Sequence, residues 1–327
     1  MTGKKVKICV VNSTVFGQGD MDWSSLESIG ELKVYNSRWK NDGELRERVA
    51  DADIVLGNNS DLGPDVLAAC ENLKLMCTFA TGYDLVDTEG AAKRGIPVCN
   101  VPSYGTASVA QYAIALLLQI CGQLPYYSEQ ARLGRWYDCW TDCAGEHRMV
   151  ELAGKTMGII GFGSIGQAVG RIAKALGMNV IAYNRSQCEE GRAIAEYVSL
   201  DELFARSDVV SLHAPLNAGT KHIVNADSIA KMKDGVIIIN NGRGGLVDSA
   251  ALAEALRSGK VWAAGLDVVE REPDVKSDPL YNAPRCLITP HVSWLPREAR
   301  QRELDITAEN IRAFLEGHPK NVVNGVK

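Results

Sequence analysis

Residues 157–170 read MGIIGFGSIGQAVG, a short apolar run followed by glycines at 161, 163 and 166. Each glycine has its own physical use. Gly161 permits a tight strand-to-helix turn, Gly163 lets backbone approach a pyrophosphate, and Gly166 lets the helix pack close to the strand. The amino terminus of the following helix then faces negative phosphate. The alternative is a purely structural turn. The setting favours a dinucleotide site, because a helical stretch and a second strand-like run, 179–183, follow in order.

The same rhythm extends in both directions. Downstream, apolar runs at 209–213, 236–239, 262–266 and 286–289 read as buried strands with helices between several of them. Upstream, the runs 6–11, 32–35, 54–56, 73–77 and 96–99 repeat the pattern. The expected fold is α/β, with two doubly wound parallel-sheet domains. Residues 107–120 are apolar on nearly every side and too long for a strand, so they read as a buried helix that begins the second domain. Within 297–316, Leu304, Ala308, Ile311 and Leu315 recur at helical spacing, and Gly317 with Pro319 supplies a stop. This last helix is expected to return to the first domain. The divisions are therefore 1–102, 103–296 and 297–327.

Composition narrows the function. Among 327 residues, 40 acidic side chains against 35 Lys and Arg give a net charge of −5, which offers no basic field to a nucleic acid. The apolar run at 6–11 is too short for an export signal, and no stretch approaches the roughly 18 apolar residues of a membrane span. A cytoplasmic protein without a membrane partner is expected. The nine cysteines are odd in number and scattered, so they read as thiols. Cys139 and Cys143 lack two further nearby ligands, and no metal site is expected.

The strand 179–183 ends at Asn184, Arg185 and Ser186, where an acid ordinarily holds the adenosine ribose of NAD. No acid is present. Arg185 can meet the extra phosphate of NADP, with Asn184 or Ser186 bonding beside it. The alternative leaves Arg185 in solvent and bends Glu189 or Glu190 back to the ribose. The reading prefers NADP(H) and leaves NAD(H) open.

Five histidines, at 147, 213, 222, 291 and 318, bound the search for a proton carrier. His291 follows an apolar strand, Thr289 and Pro290, at a sheet edge that opens into a crevice. Its imidazole can give a proton to a developing alkoxide and take it back in reverse; a structural histidine is the alternative. Arg243 sits in Asn241-Gly242-Arg243-Gly244-Gly245, where glycine-rich backbone brings a guanidinium close to a ligand. It suits a 2-keto acid, although a surface arginine fits the local pattern too. Glu272, shortly after Leu266-Asp267-Val268, can stabilise a charged His291, with Glu270 as its competitor.

These residues carry a resemblance. The segments 161–166, 240–248, 265–273 and 290–294 resemble the successive signatures of the D-isomer-specific 2-hydroxyacid dehydrogenases. The likeness covers essentially the whole chain, including 80–84 and 100–111. It implies a Rossmann-type cofactor domain inserted into a flavodoxin-like substrate domain, with substrate bound between them. It also implies that Arg243 binds substrate, that Glu272 rather than Glu270 pairs with the histidine, and that His291 transfers the proton. Thr81 and Gly82 match the loop that receives the substrate carboxylate, and Trp294 matches a pocket floor, with core packing as the alternative.

For the cofactor the resemblance implies Thr106, Gly161, Gly163, Ser164, Ile165, Gly166, Asn184, Arg185, Ser186, Ala214, Pro215, Asn241, Gly242 and Asp267, the last near the nicotinamide amide. Residues 290–294 look most like the glycerate dehydrogenase or hydroxypyruvate reductase branch, which implies hydroxypyruvate and D-glycerate. Glyoxylate or another 2-keto acid is the alternative, and a dinucleotide-sensing corepressor is the alternative of a different class. Three departures stand out: Asn184 in place of an acid, Asn241-Gly242 in place of Thr-Ala, and an aromatic segment at 135–150 longer than in many members. That segment matches a dimerisation arm and implies a homodimer through the cofactor domain, with Trp136 or Trp140 directed to the neighbour; a plain surface loop is the alternative.

Overall fold

The computed structural model describes residues 5–16, 19–144 and 147–326. Gly145 and Glu146, inside the aromatic segment, therefore lie outside the described residues. The chain divides into two compact units, one of residues 1–105 and 295–327 and the other of 106–294. The sequence divisions at 102/103 and 296/297 differ from these by two or three residues, because the second unit opens directly on the first turn of the helix Thr106–Gly122.

The first unit holds a five-stranded parallel sheet of β1 (Lys7–Val10), β2 (Glu31–Val34), β3 (Ile54–Gly57), β4 (Leu75–Thr78) and β5 (Val98–Cys99), in the order β2-β1-β3-β4-β5. This is the flavodoxin-like order. β3 and β4 are buried at every position, as strands covered by helices on both faces must be. The helix Arg297–Leu315 lays Leu304, Ala308 and Ile311 into one core with Ile8, Val10 and Phe79. Leu315, expected on the same apolar face, is instead half exposed at the last turn of the helix. Gly317, at φ +83°, ends the helix in the left-handed conformation that favours glycine.

The second unit holds β6 (Thr156–Ile160), β7 (Asn179–Tyr183), β8 (Glu196–Tyr197), β9 (Val209–Leu212), β10 (Val236–Asn240), β11 (Val261–Leu266) and β12 (Cys286–Ile288). All pairings are parallel, in the order β12-β11-β10-β9-β6-β7-β8. The order reverses between β6 and β9, the place where open parallel sheets bind dinucleotides. The helix Thr106–Gly122 buries Leu116 and Ile120 against Gly265 of β11, where an added Cβ would stand 3.1 Å from both side chains. Among the described residues no single helix is long and apolar enough to cross a membrane.

Glu303, like Arg48 and Asp61, is an ionisable side chain inside the first unit. It lies fully buried on the helix Arg297–Leu315. Burial pushes its carboxyl well above the ordinary carboxylate range, and the nearby Tyr104 hydroxyl and Arg300 charge offset only part of that. The folded chain thus holds this proton more tightly than the unfolded chain. The stability it contributes is complete below about pH 4.5, the ordinary value, and is lost as pH rises through the raised native value. Glu303→Leu is expected to be roughly 1–3 kcal/mol more stable than the parent at pH 8 by urea unfolding, with the advantage shrinking toward pH 4.5. A difference independent of pH would place the titrating group elsewhere.

Candidate active site

Six segments of the second unit leave the carboxyl ends of parallel strands on one edge of the sheet. They are the glycine turn after β6, Asn184 after β7, Ala214 after β9, Asn241–Arg243 after β10, the 267–272 segment after β11 and His291 after β12. A shared edge is the natural consequence of all-parallel pairing, and it brings residues far apart in sequence together.

The glycines meet their steric requirements in the turn after β6. Gly161 has φ +89°, and a Cβ there would stand 2.3 Å from the Ala214 amide nitrogen. At Gly166 a Cβ would stand 2.3 Å from the Gly161 carbonyl oxygen. Gly163 is different. It caps the helix Ser164–Ala175 with no side-chain hydrogen bond, is exposed, and has open space where a Cβ would be. The helix therefore presents its first N–H groups, with Ser164 and Ile165 in the first turn, to any anion that approaches.

Two polar side chains near this edge have atoms left without partners. Both amide atoms of Asn241 are buried and unpaired, as is Nδ1 of His213. Burial pushes the His213 imidazole down to about 4, so it is neutral at physiological pH, and its Nε2 lies 2.8 Å from Ser211 Oγ. Buried polar atoms of this kind call for a polar ligand. An open helix amino terminus together with the unpaired Asn241 amide and His213 nitrogen fits a nicotinamide dinucleotide. The sequence reading counted His213 among five histidines but gave it no role; its position next to Ala214 and Pro215 was the available signal.

At the end of β7, Asn184 turns inward. Its Oδ1 accepts from the Phe162 amide at 3.2 Å, and its Nδ2 donates to the Ser186 carbonyl at 2.7 Å. Arg185 and Ser186 are exposed, as are Glu189 and Glu190. Pro215 is exposed too, while Thr106 begins the helix Thr106–Gly122.

His291 is held from below. The buried Asp267 accepts from Thr289 Oγ1 at 2.6 Å and from the amides of Val292 and Ser293, each at 2.9 Å. Its carbonyl accepts from the His291 amide at 2.8 Å. Trp294 closes the loop, its indole N–H donating to the His291 carbonyl at 3.0 Å. His291 itself has φ +55°, a conformation that a residue with a side chain adopts only under constraint.

Glu272 meets His291, with Oε2 3.0 Å from Nδ1, while its Oε1 accepts from the Val269 amide at 2.9 Å. Glu270 takes a different histidine: its Oε1 lies 2.8 Å from His222 Nε2. The structure thus separates the two acids that local sequence left in competition. With Nδ1 of His291 engaged, Nε2 is the nitrogen left for proton transfer. Arg243 is half-buried after Gly242, whose carbonyl accepts from Nη1 at 3.0 Å. In the first unit, Thr81 Oγ1 donates to the Val101 carbonyl at 2.8 Å, tying the turn after β4 to the segment after β5, and Gly82 follows it half-buried.

A Rossmann-ordered sheet with an uncapped glycine turn and a histidine–glutamate pair on one edge is the setting in which comparison with known proteins becomes informative. Residues 114–293 match the model of the D-isomer specific 2-hydroxyacid dehydrogenase, NAD binding domain, which is more than half of the chain. The chain belongs to the D-isomer specific 2-hydroxyacid dehydrogenases. It is 48% identical over 322 residues to a hydroxypyruvate reductase of Blautia hydrogenotrophica, covering 98% of this chain and 100% of that one. It is 37% identical over 295 residues to a glycerate dehydrogenase of Methylorubrum extorquens, covering 90% and 92%. Among solved structures, D-lactate dehydrogenase of Aquifex aeolicus complexed with NAD and lactic acid superposes with a TM-score of 0.82 at 29% identity, covering 98% and 100%.

Asp267 gives this dehydrogenase a direct test of its loop. Asp267→Asn turns one carboxylate oxygen into an NH2 group that faces N–H or O–H donors. Urea unfolding is expected to show a loss of roughly 2–3 kcal/mol. An unchanged midpoint would mean that the 289–293 loop is held by other contacts.

Proposed function

We propose that this dehydrogenase reduces a small 2-keto acid, with hydroxypyruvate and D-glycerate as the natural pair and NADPH as the preferred nucleotide. The observation that supports it most is the His291–Glu272 pair, held at 3.0 Å beside the half-buried Arg243 turn. The likeness to a hydroxypyruvate reductase over nearly the full chain supports the substrate.

The Arg243 guanidinium binds the substrate carboxylate and polarises the ketone. Bound reduced nicotinamide supplies the hydride. His291 donates the Nε2 proton to the ketone oxygen, and Glu272 stabilises the imidazolium before transfer. In reverse, neutral His291 takes the proton from the hydroxyl. Asn241 and the glycine turn would hold the nucleotide, and Trp294 would close the substrate side. Asp267 would sit near the nicotinamide amide, although its carboxylate already binds the histidine loop.

The preference for NADPH rests on the end of β7. Asn184 carries no charge to repel a 2′-phosphate, and its amide is tied to the glycine turn and to Ser186. Exposed Arg185 and Ser186 are then free to meet that phosphate. Absorbance at 340 nm, with NADPH and NADH against hydroxypyruvate, glyoxylate and pyruvate, tests both halves. Hydroxypyruvate should give the fastest oxidation, with NADPH favoured over NADH, and Arg185→Ala should raise the KM for NADPH about tenfold. Faster turnover with glyoxylate, or a preference for NADH, contradicts the corresponding half. No turnover with any acid favours the sensor alternative.

The aromatic segment supports a homodimer. Trp136, Tyr137 and Trp140 are 64%, 70% and 64% exposed on one short stretch, a surface suited to a second copy of the chain. Light scattering should give twice the chain mass for the parent, and half that value for a variant carrying Trp136→Glu and Trp140→Glu. A monomeric parent contradicts the dimer.

A further inference from the structure

A second histidine–glutamate pair lies in the same unit, built from residues that the proposed mechanism leaves unused. His222 Nε2 stands 2.8 Å from Glu270 Oε1. The two side chains come from segments 48 residues apart, and three pieces of backbone carry them.

The first piece is 222–224, which runs against 245–248. The His222 amide donates to the Gly245 carbonyl at 2.8 Å, the Val224 amide to the Leu246 carbonyl at 3.1 Å, and the Asp248 amide to the Val224 carbonyl at 2.9 Å. The second is the Arg243 turn itself, which lies directly on the 269–270 peptide. A Cβ on Gly244 would stand 2.0 Å from the Val269 carbonyl oxygen and 2.6 Å from the Glu270 nitrogen. Only glycine allows that approach. The third is 269–272, closed on itself by the bond from the Val269 amide to Glu272 Oε1.

These contacts have a geometric consequence. Because Val269 and Glu272 are tied together, the 269–272 segment turns as a unit. One of its acids faces His222 and the other faces His291. A contact that holds Glu270 therefore restrains the short segment that carries Glu272. His222 is itself constrained: it holds φ +49°, and its carbonyl accepts at 2.8 Å from Asn225, the residue that caps the helix Ala226–Lys231.

We propose that His222, through its hydrogen bond to Glu270, is a positioning residue that aims Glu272 at His291 and ties the Glu272 segment to the Arg243 turn. The assignment rests on the proposed roles of Glu272 and His291. The pair is about one-third exposed, so it adds little to global stability. Its effect is local, and a global fold change does not imitate it.

The test has two arms. In the first, the purified enzyme is assayed with hydroxypyruvate and NADPH. His222→Ala should lower kcat about tenfold, the size of effect that outer partners exert on a held functional group, with nucleotide affinity and thermal midpoint unchanged. Glu270→Ala should match it, and Glu270→Gln, which keeps an acceptor oxygen, should restore most of the rate. In a Glu272→Gln background His222→Ala should cost nothing more. Parental kcat in His222→Ala, or a full further loss in the Glu272→Gln background, overturns the proposal.

The second arm needs neither substrate nor nucleotide. Imidazole 15N spectra should show His291 in a single Nδ1–H tautomer in the parent and in exchange between tautomers in His222→Ala. An unchanged His291 spectrum overturns the proposal even if the enzyme turns over. Absence of turnover in the parent, with the spectral change present, counts against the proposed function and leaves the positioning role standing.

Discussion

The site depends on one buried carboxylate. Asp267 has its side chain and its carbonyl engaged by a single short loop, and that loop carries His291 in a left-handed conformation. Such a conformation costs a residue with a Cβ of order 1 kcal/mol. Three hydrogen bonds to a buried charge offset it, and they also remove the need to leave that charge unpaired. Without Asp267 the loop has no reason to prefer this shape, and the imidazole has no fixed direction in which to meet Glu272.

Asp267 is itself placed by the sheet. Its amide donates to the Asn240 carbonyl at 2.9 Å, so the end of β11 is registered against the end of β10. Asn240 in turn folds its side chain under the next turn, accepting from the Gly242 amide and donating to the Arg243 carbonyl, each at 3.0 Å. A continuous line of hydrogen bonds therefore runs from the Arg243 turn through two strand ends to His291. Parallel pairing makes this possible, because it delivers every strand end to the same edge.

Much of this was legible in the chain. Among the described residues, the apolar runs located eleven of the twelve strands, since buried parallel strands have no polar face to hide them. The exception, β8, is two residues long and begins with an exposed glutamate, so it leaves no hydrophobic trace. The glycine turn could be read because 161 and 166 have steric needs that only glycine meets. The choice of Glu272 over Glu270 came from the family resemblance and not from local composition, because both acids lie in one charged loop two residues apart. Only the fold reveals that each faces a different histidine. His222 was equally hidden, since its partner lies 48 residues away and nothing near it in sequence marks it. The orphaned amide of Asn241 belongs to the same class: its position could be flagged, but its lack of partners is a property of packing.

The central claim is that His291, aimed by Asp267 and Glu272, transfers the proton. The most direct measurement is kcat for His291→Ala with hydroxypyruvate, alongside nucleotide affinity measured by fluorescence titration. The account predicts a fall of about 10²- to 10⁴-fold in kcat with nucleotide affinity unchanged. Turnover within a few-fold of the parent would contradict it and would send the proton through another group.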